Sequence, residues 1–161
     1  MAKKSWKEKL NETKDLPKIV EVPDEAVSRW GGKRIAIPLP KEVDGLMKKV
    51  PKGKLQTINT IRKEVAKKHH ANAGCPICCG IFSVISAHVA AEEIVEGKSV
   101  GGRTLADKVT PFWRTLKSDG SLNPKYPGGI DFQADQLEKE GFEIDCSYKI
   151  PKVKNFEKYL L

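Results

Sequence analysis

Three of the four cysteines in this 161-residue chain lie within five residues, so they form the densest group of chemically reactive side chains. Cys75 and Cys78 have the two-residue gap of a zinc knuckle. The possible further ligands are His69, His70 and Cys146. The sequence offers no second clean pair, and the adjacent Cys78 and Cys79 point in different directions around a helix. We therefore predict no metal site.

The clustered thiols could also act as nucleophiles. They stand at the beginning of a predicted helix, where a thiol has a lowered pKa and a larger thiolate fraction at neutral pH. Alternatively, they are small side chains that fill space where this helix packs closely, and both interpretations stay open. Their crowding does not suit a disulfide framework, and it agrees with a reducing compartment.

A second candidate group follows in the segment Thr110–Arg114. Phe112 has no lone pair and cannot accept an alkyl group. The Trp113 indole could stack on a nucleic-acid base, for about 1–3 kcal/mol, or pack in the core. Arg114 could hold the loop by binding backbone carbonyls or could contact DNA. A Ser-Asp-Gly turn follows, and Tyr126–Gly129 then predicts a tight loop whose bare backbone could approach a ligand.

The elements that must position these residues are mainly helices. Apolar residues recur at helical spacing, and the flanking residues are typical of helix ends. Helices are predicted at Trp6–Leu10, after Pro23, at Pro40–Val50, from Thr57 to His70, from Pro76 to about residue 96, at Ile130–Glu140 and at Val153–Leu161. Short extended pieces are predicted at Ile19–Val22, Ile35–Pro38, Phe142–Ile144 and Tyr148–Ile150. The helix from Pro76 is expected to have one broad apolar face, formed by Ile77, Ile81, Val84, Ile85, His88 and Val89.

The net charge of +8 and the pI of about 9.3 favour a polyanionic partner. Basic residues flank the two central helices, where they could neutralise phosphates or form an ordinary solvated face: Lys52, Lys54, Arg62, Lys67 and Lys68. No apolar run approaches the roughly 20 residues that a membrane span needs, and the basic start lacks an apolar signal region. We therefore expect a cytoplasmic protein with no membrane partner.

The order of these motifs resembles that of the alkylguanine-DNA alkyltransferases. Val50–Leu55 is similar to the opening of their DNA-binding domain, and a helix-turn-helix follows. Pro111–Arg114 stands where the family has its Pro-Cys-His-Arg loop, and Tyr126–Gly129 resembles the Gly-Gly loop before the last helix, here Gln133–Gly141. Phe112 replaces the reactive cysteine and Trp113 the histidine, as expected for the alkyltransferase-like proteins, which bind alkylated DNA without dealkylating it.

The resemblance implies a mainly α protein with small β elements (α+β). A winged helix-turn-helix domain would span residues 40–142, with an N-terminal extension at 1–39 and a C-terminal ribbon and helix at 143–161. Such a domain enters the minor groove and flips the damaged guanine into a pocket. The implied lesion pocket comprises Phe112, Trp113, Arg114, Tyr126, Gly128 and Gly129. The implied DNA-binding residues are Lys52, Lys54, Thr57, Ile58, Arg62, Cys75, Ile77 and Gly80.

The chain departs from the family at several positions. Ile77 stands at the arginine that fills the vacated base position, and an apolar wedge could do the same work. Ile58 replaces a tyrosine that presses on a phosphate, and the tract from Glu92 to Val109 is longer than the family's connector.

The expected function is recognition of alkylated guanine in double-stranded DNA, without a cofactor and without alkyl transfer, to direct excision-repair proteins. Two alternatives stay open. One is an enzyme that acts on a flipped base, by alkyl transfer to Cys75, Cys78 or Cys79 or by base hydrolysis. The other is a winged-helix transcription or architectural protein.

Overall fold

The computed structural model describes residues 4–95 and 109–161. The predicted end of the long helix at Gly97 and the predicted surface connector at Val100–Gly102 lie outside the described residues. The α-helices of the described chain are α1 (Trp6–Leu10), α2 (Val27–Trp30), α3 (Pro40–Lys48), α4 (Ile58–His69), α5 (Pro76–Val95) and α6 (Gly129–Lys139). Single turns of 3₁₀ helix lie at Asp24–Ala26, Phe112–Arg114 and Phe156–Tyr159.

The strands are short and form three small sheets. They are β1 (Lys18–Glu21), β2 (Arg34–Ile37), β3 (Gln56–Thr57), β4 (Ala73–Gly74), β5 (Thr115–Leu116), β6 (Ile144–Asp145) and β7 (Lys152–Val153). β2 pairs antiparallel with β1 and parallel with β4, β3 pairs parallel with β5, and β6 pairs antiparallel with β7. The chain is therefore mainly helical with small sheets, as predicted.

Helix α5 organises the main core. It contacts α3, α4 and the 3₁₀ turn at Phe112–Arg114, and α1 packs against its outer side. The buried side chains of the main core include Met47, Ile61, Cys79 and Ala87. Because α3, α4 and the 3₁₀ turn all meet α5, the position of this helix fixes the surfaces on both sides of it.

The predicted N-terminal extension is tied to the predicted DNA-binding domain at two places. Strand β2 pairs with β4, so that Ile35 lies opposite Ala73 just before α5 begins. Leu10 of α1 packs against Ile85 and Val89 of α5 in a separate small cluster. Gly74 allows β4 to lie close to α4, since a Cβ there would lie 2.9 Å from the Cα of Arg62.

The predicted helix at Val153–Leu161 is largely wrong. The structure has the two-residue strand β7 followed by a single 3₁₀ turn at Phe156–Tyr159. This segment finds backbone partners elsewhere, since Leu55 N–H donates to the Tyr159 carbonyl at 2.8 Å and Leu161 N–H to the Leu55 carbonyl at 3.1 Å. These long-range bonds replace the local bonds that a helix would make.

The expectation that no apolar run approaches the length of a membrane span is wrong for helix α5. Its stretch Pro76–Ile94 is long and apolar enough to cross a membrane by length and composition alone. Helix α5 packs against α1, α3 and α4, and such packing in a protein core explains why its sequence is apolar.

Candidate nucleic-acid interface

The N-terminal half of α5 exposes two large aliphatic side chains. Ile77 is 59% exposed and Ile81, one turn later, is 52% exposed. Both residues belong to the predicted broad apolar face of this helix, on which Ile85 and Val89 farther along are buried. The difference arises because α1 covers the later turns of α5. Exposed isoleucines at successive turns mark a surface of possible function.

A groove of about 840 Å³ runs beside this half of α5. One wall is α5 and the start of α4, a second is α1, and a third is formed by loop segments on either side of Gly120. The residues that line it are Trp6, Lys9, Ile58, Arg62, Pro76, Ile77, Gly80, Ile81, Val84, Ile85, Lys117, Ser118, Asn123, Pro124 and Lys125. The groove is large enough for a base with its sugar, since small-molecule pockets span about 300–1,000 Å³.

All charged side chains among the described residues that line the groove are positive. Four of the described lining residues are cationic, namely Lys9, Arg62, Lys117 and Lys125, and none of the described lining residues is an aspartate or glutamate. Low-dielectric walls next to cations of one sign concentrate the potential and attract a polyanion. The combination of apolar floor and cationic rim is suited to a nucleic acid, which offers both bases and phosphates.

Gly80 and Ile58 support the predicted DNA-binding set, because both line the groove. A Cβ added at Gly80 would meet no atom within 4 Å, so the α5 backbone faces open space there. Lys52 and Lys54 are exposed but lie in the turn before β3, outside the lining of this groove. Their contact with phosphate stays a prediction.

Two residues of the predicted DNA-binding set are buried. Thr57 is 4% exposed and precedes α4, where its N–H lies 3.5 Å from the Oγ1 of Thr60. Cys75 is 3% exposed, and its Sγ accepts a bond from the Cys78 N–H at 3.3 Å. Both residues lie at the beginnings of helices with little exposed surface, and their contact with DNA stays a prediction.

Arg62 lines the groove, but its guanidinium is largely used within the protein. Its Nε donates to the Gly74 carbonyl at 2.9 Å, and its Nη2 donates to the Trp30 carbonyl at 2.7 Å. These bonds join α4 to the end of α2 and to β4. Arg62 therefore adds positive charge to the groove while its side chain holds three elements in place.

The loop expected to wall the lesion pocket lies in the core. Phe112 is fully buried and Trp113 is 1% exposed. The Phe112 ring stacks on Phe132 with centroids 5.8 Å apart and meets Trp113 and Tyr126 edge to face. Neither Phe112 nor Trp113 is among the described residues that line the groove. The expectation that Trp113 walls an open cavity is corrected accordingly, because aromatic neighbours occupy that space.

Arg114 holds the loop rather than reaching toward DNA. It is 5% exposed, its Nε and Nη2 donate to the two carboxylate oxygens of Glu140 at 2.8 and 2.7 Å, and its Nη1 donates to the Val50 carbonyl at 2.8 Å. The Trp113 Nε1 also donates to Glu140, at 2.9 Å. Two roles were open for Arg114, namely binding of backbone carbonyls and contact with DNA. The structure shows the first, through the Val50 carbonyl, and adds an ion pair with the Glu140 carboxylate.

The remaining predicted pocket residues lie near the end of the same loop. Tyr126 is 2% exposed, and burial raises the pKa of its hydroxyl above the usual range. Gly128 has a left-handed φ of 78°, and a Cβ there would lie 2.5 Å from the Cβ of Phe132. Gly129 has a φ of 64° with open space in front of it. These residues shape the start of α6, and none is among the described residues that line the groove.

The buried amide of Gln133 joins this loop to the groove wall. Its Oε1 accepts the Asn123 N–H at 2.8 Å, while its Nε2 lies 3.2 Å from the Trp113 carbonyl and 3.4 Å from the Thr115 carbonyl. Asn123 lines the groove. The loop at Phe112–Arg114, called the aromatic loop below, is thus connected to the groove wall through Gln133. Its residues are not among the described residues that line the groove.

Cys78 and Cys79 do not have the lowered pKa expected of thiols at a helix start. Burial, followed by the neighbouring Cys75, raises the pKa of Cys78 to about 12. Burial also raises the pKa of Cys79 to about 12, with Cys75 and Cys78 adding to the effect. Loss of solvation disfavours the thiolate more than the helix start favours it. No cysteine is among the described residues that line the groove.

Several groove residues were not found by sequence reasoning. The sequence pattern places Ile81 on the broad apolar face of the helix without indicating a DNA contact, and Lys117 and Lys125 lie in no motif. The role of α1, which brings Trp6 and Lys9 to the groove, was left open. A usable signal existed only for Ile81, because it follows Ile77 by one helical turn.

The chain shares its fold with a solved alkyltransferase-like protein over most of its length. The structure is similar to the crystal structure of S. pombe Atl1 in complex with damaged DNA containing O6-carboxymethylguanine, with a TM-score of 0.50 and 19% identity. The similarity covers 76% of this chain and 93% of the Atl1 chain. A crystal structure of S. pombe ATL in complex with DNA is similar over the same shares, with a TM-score of 0.48 and 22% identity.

No protein-family model matches the sequence. No curated protein matches it either. The relationship predicted from short motifs is thus confirmed at the level of the fold by the Atl1 structure, while sequence identity stays low.

Proposed function

We propose that this chain recognises damaged bases in double-stranded DNA, in the manner of an alkyltransferase-like protein, and does not remove the damage itself. It binds through a winged helix-turn-helix, with α4 and α5 as its two helices and the groove beside α5 as the DNA contact. The observation that carries this proposal is the groove itself, which combines exposed isoleucines with four cations and no acidic residue among the described residues that line it.

The exposed isoleucines are suited to enter the base stack. Isoleucine is among the apolar side chains that insert between base steps and kink the duplex toward the major groove. Ile77 lies in the first turn of α5, and Gly80 has no side chain that would keep a sugar-phosphate backbone away. We assign the wedge to Ile77, with Ile81 beside it as an apolar support.

An extruded base would enter the groove itself, because the aromatic loop is closed. The walls offer the aliphatic faces of α5 on one side and the Ser118 and Asn123 side chains on the other. Extrusion costs a few kcal/mol and is least costly at a pair that damage has already weakened. The S. pombe Atl1 crystal structure contains O6-carboxymethylguanine, and we propose guanine alkylated at O6 as the class of lesion.

The chemistry of the thiols favours binding without alkyl transfer. Phe112 is inert at the position of the family's nucleophile, and Cys79 is buried with a pKa raised to about 12. A protonated thiol is a poor nucleophile, so alkyl transfer to this cysteine is slow at neutral pH. The bound lesion would then be passed to excision-repair proteins.

A binding experiment tests the proposal directly. Fluorescence anisotropy would compare two duplexes of the same sequence, one with a single O6-methylguanine and one unmodified, at fixed salt. We expect tighter binding of the modified duplex, since its weakened pair costs less to open. Equal affinity for the two duplexes would contradict lesion recognition and favour a transcription or architectural role, which a series of unmodified sequences would then reveal as sequence preference.

A matched pair of variants tests the wedge. Ile77→Ala removes the exposed side chain from α5, whereas Ile19→Ala removes an isoleucine that is 37% exposed on β1 and outside the groove lining. We expect Ile77→Ala to weaken binding to the modified duplex and to reduce fluorescence of 2-aminopurine placed beside the lesion. Ile19→Ala should bind as the unchanged protein does.

Intact-mass spectrometry after incubation with the modified duplex separates binding from transfer. We expect no mass gain on the protein and an unchanged lesion in the recovered DNA. A gain of one methyl group that disappears in Cys79→Ser would instead establish an alkyltransferase with a displaced nucleophile. Release of a modified or free base without a protein adduct would indicate hydrolysis.

A further inference from the structure

The helix α1 brings a cation to the groove from a part of the chain outside α4, α5 and the loops. Lys9 and Trp6 both line the groove, together with Lys117 and Lys125 of the loop segments. We propose that α1 is a second arm of the DNA interface, in which Lys9 contacts a backbone phosphate. The inference rests on the proposed function, because it concerns the same groove, and it assigns a DNA contact to the N-terminal extension.

The position of the Lys9 ammonium is fixed by an aromatic stack. The Trp6 indole lies against the His88 imidazole with ring centroids 4.1 Å apart and planes 8° apart. The Lys9 Nζ lies 4.5 Å from the Trp6 ring centroid, in the range of a cation–π contact. The imidazole stacks on the indole and the Lys9 ammonium lies over the same ring, so the Trp6 ring already has partners where a base would stack. Its role is therefore to hold Lys9 at the groove.

Helix α1 is itself anchored, although it has only five residues. The Ser5 Oγ accepts the Glu8 N–H at 3.1 Å at its start, and the Asn11 Nδ2 donates to the Lys7 carbonyl at 2.8 Å at its end. Leu10 is buried against Ile85 and Val89 of α5. A helix of this length is unstable alone in water, so these contacts are what hold Lys9 in place.

Lys9 remains available for a phosphate. None of the ion pairs formed within residues 4–95 and 109–161 involves Lys9. Lys117 and Lys125 are likewise absent from those pairs, and they face the groove from the loop side. Cations from two separate parts of the chain around an apolar groove suit a duplex, whose two strands place phosphates along both edges of the minor groove.

The salt dependence of DNA binding tests the contact. Each phosphate neutralised by a cation contributes about −0.9 to the slope of log Kobs against log salt concentration. We expect Lys9→Ala to make this slope less negative by about 0.9, equally on modified and unmodified duplexes. Lys9→Arg keeps the charge and should keep the slope.

Lys7→Ala is the matched control, because it removes the same charge from the same helix. Lys7 is exposed and outside the groove lining, and two residues along a helix turn the side chain by about 200°. If Lys9→Ala and Lys7→Ala give the slope of the unchanged protein while lesion preference persists, the α1 contact is wrong and the proposed function stands. If the unchanged protein binds neither duplex, both inferences fail together.

Discussion

Replacement of Glu140 by glutamine is the most informative test of how the aromatic loop is held. Glu140 follows the last residue of α6, and its two carboxylate oxygens accept three bonds, two from Arg114 and one from Trp113. The Arg114 and Glu140 side chains are only 6% and 10% exposed. Glu140→Gln keeps the size of the side chain, so the change isolates the loss of charge and of one acceptor oxygen.

The expected cost follows from what remains after the change. Arg114 keeps its bond to the Val50 carbonyl, but its charge is left in the interior without a counter-ion. Removing one partner of a buried ion pair costs about 3–5 kcal/mol, and leaving an indole N–H unpaired adds to this. We expect the free energy of unfolding to fall by about 3–4 kcal/mol. That is a large fraction of the roughly 5–15 kcal/mol typical of a domain.

Urea unfolding followed by tryptophan fluorescence and circular dichroism would measure this loss. The control is Asp135→Asn, which removes a carboxylate from α6 whose 3.0 Å pair with Lys139 is 59% and 65% exposed. Exposed pairs contribute about 0–1 kcal/mol, so this variant should unfold almost as the unchanged protein does.

A double variant distinguishes a stabilising pair from a buried charge left alone. Arg114→Met combined with Glu140→Leu removes both charges and replaces them with apolar side chains. We expect this double variant to be more stable than Glu140→Gln alone, because no uncompensated charge stays in the core. Equal effects of Glu140→Gln and Asp135→Asn would refute the argument and place the Arg114–Glu140 contact in a solvated environment.

Three further outcomes are expected. Phe112→Cys should not produce alkyl transfer to DNA, because the side chain is fully buried; loss of the ring should lower stability by about 3 kcal/mol, with mass spectrometry and urea unfolding as the measurements. A thiol reagent at pH 8 should label exposed Cys146 first and Cys79 only on unfolding, since burial raises the Cys79 pKa to about 12. Gly128→Ala should destabilise more than Gly129→Ala in thermal unfolding, because only at Gly128 does a Cβ lie 2.5 Å from an α6 side chain.

The sequence predicts the helices well because their apolar residues recur over several turns. Thr57 was expected to begin α4, and α4 starts at the next residue. The parallel pairing of β3 with β5 was not predicted, because each strand has only two residues and joins Gln56 to Thr115 across a long stretch of chain. Two residues carry no periodic signal, so such a pairing becomes visible only after the helices are packed.

The site was harder to predict than the helices. An indole in a loop is compatible with a base pocket or with the core, and what decides for Trp113 is the carboxylate of Glu140, which lies 27 residues away in the chain. Likewise, the helical pattern of α5 places Ile77 and Ile85 on one apolar face. Only the position of α1 makes the first exposed and the second buried. Both outcomes depend on tertiary contacts, which local sequence patterns do not contain.

The short length of α1 decides which turns of α5 are buried and which are exposed. Cys79 and Ala87 lie on the side of α5 that packs in the main core, whereas Ile81 and Ile85 lie on the other side. Helix α1 covers that other side around Ile85 and leaves Ile81 open. A helix longer by one turn in the direction of Ile81 would close the groove, and loss of α1 would expose Ile85 and remove Lys9. A five-residue helix therefore covers Ile85 and Val89 while it leaves free the turns of α5 that we propose to face DNA.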